Sequence, residues 1–155
     1  MKLQNIFTSV VHHLQKQGVR SLDNGDACAY RGERGRKCAI GAIIPDRLYH
    51  EHMEGKRANA FIYPLRFPPG TYHAGEENYD RREVGVFLAT LADMRPKNET
   101  GVYDKHELDH LSDFLDSLQW LHDKISPDDW ERALKSEAQE YGLTMPAPIR
   151  ALETV

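Results

Sequence analysis

The chain has no apolar run approaching the 18 or so residues a membrane span requires, and its first residues, Met1 to Ser9, lack the apolar block and small-residue site of a signal peptide. These absences predict a protein that stays in the cytoplasm and makes no membrane contact. Cysteine is scarce: there are 2 in 155 residues, Cys28 and Cys38. In a cytosolic chain such a pair reads as reduced thiols rather than a structural bridge. Positive charge is also in deficit. A net charge of −4 and a pI near 6.0 argue against broad attraction to nucleic acid, which needs a basic surface. No internal repeat and no low-complexity segment is present.

What remains is ordinary for a soluble domain: 40% hydrophobic and 28% charged residues, in a length that supports one core without disulfides. Apolar periodicity predicts four principal helices. Leu3, Ile6, Phe7, Val10, Val11 and Leu14 form the stripe of the first, which ends before Gly18. Asp80 to Met94 reads as the second, stopped by Arg95-Pro96. Asp104 to Ile125 carries the longest stripe, through Leu108, Leu111, Leu118 and Leu121. Ser126-Pro127-Asp128-Asp129 opens the fourth with a serine cap, a proline in the first turn and acids that complement the helix dipole, and Gly142 closes it.

Between the first two helices the pattern changes. Cys28 to Arg31 alternates, and Gly32-Glu33-Arg34-Gly35 offers glycines that permit positive φ, so a small β-hairpin over residues 28 to 39 is expected, bringing the two cysteines near each other. Residues 55 to 79 hold Pro64, Pro68, Pro69, Gly70 and Gly75 among aromatics, which predicts a long irregular loop across the core with a short strand at Phe61 to Tyr63. The expected architecture is therefore mainly helical α+β: one globular domain over residues 1 to 143 and an extended tail over 144 to 155.

Four groups of residues suggest chemistry or binding. His106-Glu107-Leu108-Asp109-His110 fits H-E-x-x-H, in which two histidines one turn apart hold zinc and the glutamate acts as base, giving a zinc-dependent hydrolase as one reading. Against it, Asp104 and Glu107 also make a helix-capping pair, and the apolar stripe puts His106 and His110 on a solvated face. Cys28 and Cys38 with His50, His52 or His73 do not meet structural-zinc spacing, and Cys38 beside Arg36 and Lys37 is a weak candidate nucleophile. Arg31, Arg34, Arg36 and Lys37 gather four positive charges in seven residues, able to fork onto an acidic protein surface or a phosphate. Tyr63, Phe67 and Tyr72 add an aromatic surface of the kind that marks interfaces.

Cys28-x-Tyr30-Arg31-Gly32, Lys37-Cys38-Ala39-Ile40-Gly41, Ile44-Pro45-Asp46 and Leu118-Gln119-x-x-His122-Asp123, followed by Trp130, resemble a group of short proteins from tailed phages and prophages. The resemblance implies phage origin, brings no activity and carries over no catalytic residue. It leaves His122 as a candidate buried, hydrogen-bonding histidine. The resulting expectation is a non-enzymatic accessory protein that uses no cofactor and binds a host protein to modulate or inhibit a host process such as defence. Zinc hydrolysis is the second reading. The third is a homo-oligomer that sequesters a small anionic nucleotide.

Overall fold

The computed structural model describes residues 1–71 and 79–148. Its helices are α1 (Gln4–Gln17), α2 (Ala39–Ile43), α3 (Asn59–Ile62), α4 (Arg81–Leu91), α5 (Lys105–Lys124) and α6 (Trp130–Tyr141), with short 3₁₀ turns between them. The four long helices expected from periodicity are α1, α4, α5 and α6. Among the described residues there is no β-sheet, which overturns the α+β assignment.

The hairpin fails for a local reason. Its supposed second strand, Lys37 to Ala39, runs into Ala39, Ile40, Ile43 and Ile44, whose spacing is that of a helical face, and α2 forms there with these side chains buried. Gly32 precedes and Gly35 ends a single 3₁₀ turn at Glu33–Gly35. The antiparallel contact lies upstream, across Asn24-Gly25, as one isolated bridge between Leu22 and Cys28. There Asp23 Oδ1 accepts from the N–H groups of Gly25 at 2.7 Å and Ala27 at 3.0 Å, an Asx turn that closes the bend.

By contact the chain divides into two compact units, one of Met1–Leu3 with Ile44–Asp116 and one of Gln4–Ile43 with the residues from Ser117 onward. In the first unit the expected strand at Phe61 to Tyr63 is likewise replaced by helix: Phe61, Ile62 and Leu65 fall on one face of α3 and the 3₁₀ turn Tyr63–Arg66 and are buried. Pro64 sits in the first turn of that element, where its missing N–H costs nothing. Gly85 of α4 allows this packing, because a Cβ there would collide with the Phe61 carbonyl. Arg82 then ties the segment down, donating to the carbonyls of Pro64 at 2.8 Å, Phe67 at 2.7 Å and Gly101 at 2.6 Å. Asp80 caps α4 by accepting from Arg82 N–H at 2.9 Å.

In the second unit α1 packs on α2 with Ile6, Phe7, Val10, Val11 and Leu14 buried. Gly41 lets α2 approach the Tyr30 carbonyl, where any side chain would clash. The segment after α6 is held on α1, with Gln4 Oε1 accepting from Thr144 N–H at 2.9 Å and Gln4 Nε2 donating to the Thr144 carbonyl at 2.8 Å. Gly142 ends α6 in the left-handed conformation at φ 65°, and Leu143 N–H bonds back to Ala138 at 2.7 Å. Ser126 precedes the fourth helix as expected, but its side chain makes no capping bond; its carbonyl accepts from Asp129 N–H at 2.8 Å.

Candidate functional site

The last turn of α5 carries His122, which is fully buried in the second unit. Its Nε2 accepts the backbone N–H of Ser21 at 3.1 Å. Its Nδ1 lies 2.7 Å from Asp123 Oδ1. A neutral imidazole has one lone pair and one N–H, so an Nε2 that accepts from an amide fixes the proton on Nδ1, from which it is donated to Asp123. Trp130 stacks on the ring at 5.6 Å between centroids and donates its indole N–H to the Ile125 carbonyl at 3.1 Å. Arg20 closes the helix end by donating to the carbonyls of His122 at 3.1 Å and Ile125 at 2.7 Å, where a cation also complements the helix dipole.

Cys28, half-buried, joins this group. Its ligand atom, with those of His122 and Asp123, falls within a 4.8 Å cluster, the only group of three candidate metal-ligating side chains among the described residues. Two features set the chemistry of the trio. Burial, then the adjoining Asp123 carboxyl, push the Cys28 thiol up to about 11, the opposite of what a nucleophilic cysteine needs. The Nδ1 that a metal would require as a lone-pair donor carries the proton instead, and freeing it would oblige the Ser21 N–H to lose its acceptor. The arrangement is thus one of mutual hydrogen bonding. Gln119 extends it, donating to Asp123 Oδ1 at 2.8 Å while accepting Ile40 N–H at 3.2 Å at the start of α2.

The basic residues occupy the adjoining loop of the same unit and divide by role. Arg31 is turned inward, donating to the Gly41 carbonyl at 2.6 Å. The Lys37 backbone is gripped from α1: its N–H donates to Gln17 Oε1 at 2.9 Å, and its carbonyl accepts from Gln17 Nε2 at 2.9 Å and His13 Nε2 at 2.7 Å. Gly32 packs against Ser21 and Leu22 so closely that no side chain fits. Between these anchors Arg34 is exposed, with φ 58° and ψ 31°, a left-handed conformation uncommon for a residue with a Cβ. Arg36 is half-exposed beside it.

In the first unit, Tyr63 is 40% exposed and meets Phe67 edge-on at 5.4 Å, with the Arg66 guanidinium over the Tyr63 ring at 5.3 Å. Arg66 also pairs with Asp109. Tyr72 and His73 lie outside the described residues. His106 and His110 sit on the exposed side of α5, while Glu107 donates its backbone N–H to Asp104 Oδ1 at 3.0 Å. That bond holds the Asp104 carboxyl below its ordinary pKa, as expected of a capping acid. His50 accepts the His52 N–H at 3.1 Å and stacks on Tyr79 at 5.2 Å.

The sequence reading did not join Cys28 to His122 and Asp123, and it passed over Trp120 and Glu137. The signals for the latter two were present: Trp120 falls off the α5 stripe, and Glu137 is a charge on the apolar face between Leu134 and Ala138. Comparison with protein-family models, with curated proteins and with solved structures gave no match.

Proposed function

We propose that the chain is a non-enzymatic accessory protein of phage or prophage origin that acts in the bacterial cytoplasm by binding an acidic surface of a host protein. The observation that carries this reading is the Arg34 turn: an exposed cation on left-handed backbone, between flanks locked by Gly32 and by the α1 grip on Lys37. Local strain of this kind persists only where surrounding structure holds it, and it concentrates at functional positions. Backbone fixed in this way loses little freedom on docking, which favours contact over mere solvation. The wiring of Cys28, His122 and Asp123 supports the non-enzymatic part: His122 Nε2, the nitrogen a general base would use, is occupied by the Ser21 N–H, and the Cys28 thiol is pushed up to about 11.

The test is affinity capture from the bacterial host with the wild-type chain and with Arg34→Glu/Arg36→Glu. An acidic protein retained in stoichiometric amount by the former and lost by the latter is expected. Equal retention by both would remove the turn from the interface.

A further inference from the structure

A second surface of the same unit has a different character. Trp120 of α5 is 58% exposed, the largest exposure among the big hydrophobic side chains described. It borders a groove of about 270 Å³ between α5 and α6, shared with Ser117, Leu121, Ala133, Glu137 and Glu140. Glu137 is only 7% exposed. Ser117 Oγ donates to its Oε2 at 2.8 Å. Its Oε1 is buried with no hydrogen-bond partner among the described residues. A buried carboxyl oxygen left without a donor costs free energy, and native structures keep few such atoms.

The groove is acidic. The cations along α6 are engaged elsewhere, Arg132 with Asp129 at 3.2 Å and Lys135 with Glu131 at 3.5 Å, while Glu140 is exposed at the rim. Burial raises the Glu137 pKa, and the like charge of Glu140 adds to that rise against the Ser117 bond. What is missing is a flat, multidentate donor with positive charge. A guanidinium meets all three requirements, stacking on the indole face while sending N–H groups to two acceptors at once. The volume lies below the usual range for whole small-molecule ligands and suits one long side chain. Negative charge excludes a nucleic-acid backbone.

We infer that this groove receives an arginine side chain from a partner polypeptide, laid on Trp120 and paired with Glu140 at the rim, with Glu137 turning its unpartnered Oε1 outward to complete the contact. The site is separate from the Arg34 turn and does not depend on it.

The experiment titrates the full chain with a capped glycine peptide holding one arginine, and follows the two indole N–H signals by NMR. The Trp120 signal should shift saturably while that of buried Trp130 stays in place. A lysine peptide should bind about fivefold more weakly, and Glu137→Gln about tenfold, the size of one lost charge-assisted bond. Trp120→Ala should abolish the shifts that the arginine peptide causes in the Glu137 and Glu140 backbone amide signals while melting normally, since that ring is exposed. Four results would overturn the inference: no saturable shift; equal binding of the lysine peptide; free arginine amide binding as tightly as the peptide, which would make the occupant a small molecule; or self-association of the chain alone, lost in Trp120→Ala, which would make it a second copy.

Discussion

His122 and Glu137 are both buried polar side chains in the second unit, and they are treated in opposite ways. Each nitrogen of His122 has a partner, Ser21 on one side and Asp123 on the other, with Trp130 on its face. Glu137 has Ser117 on one oxygen and nothing on the other among the described residues. The difference separates the two roles assigned to them: completed bonding for a strut, and an open valence beside an exposed aromatic for the proposed receptor.

Replacing each residue separates the two. His122→Ala strands the Ser21 N–H and opens a cavity under Trp130, so a loss of about 3–5 kcal/mol is expected, read as a large fall in the urea midpoint. Should the variant unfold no more easily than wild type, His122 is not a strut.

Glu137→Gln is expected to do the reverse, and more gently. Burial raises the Glu137 pKa in the folded chain, so the fold favours the protonated acid. That stability is fully present below the unfolded glutamate pKa of about 4.3 and is lost as pH rises through the higher folded value. Glutamine keeps the shape without the charge, so the variant should match wild type in acid and gain about 1 kcal/mol at neutral pH. Melting curves across pH 4 to 8 check this. A variant that is less stable at pH 7 would mean Oε1 already has a donor.

Much of this was legible in the sequence, and the failures have causes. The long helices follow from apolar spacing: Leu3 to Leu14 for α1, Leu108 to Leu121 for α5 and Trp130 to Ala138 for α6. Short helices offer too few turns for a period to show, so Phe61, Ile62 and Leu65 read as loop or strand. The hairpin expectation weighed Gly32 and Gly35 together as turn formers, whereas only Gly35 takes a positive φ, at 71°, and Gly32 serves close packing against Ser21 and Leu22. Asn24-Gly25, the stronger hairpin signal, holds the only bridge among the described residues. His122 was recognisable as a structural histidine beside Asp123 and Trp130. Cys28 was not recognisable as its neighbour, since nothing in linear spacing reports a contact made by tertiary folding. In the same way the basic cluster looked uniform on paper, yet Arg31 is spent on the Gly41 carbonyl while Arg34 faces outward.

The central claim is that the Cys28, His122 and Asp123 group is a hydrogen-bonded strut of the second unit. Nitrogen-15 NMR of the His122 ring tests it most directly. The account predicts a proton on Nδ1 and a bare, hydrogen-bond-accepting Nε2. A proton on Nε2, or an Nδ1 resonance that moves on addition of zinc, would contradict it.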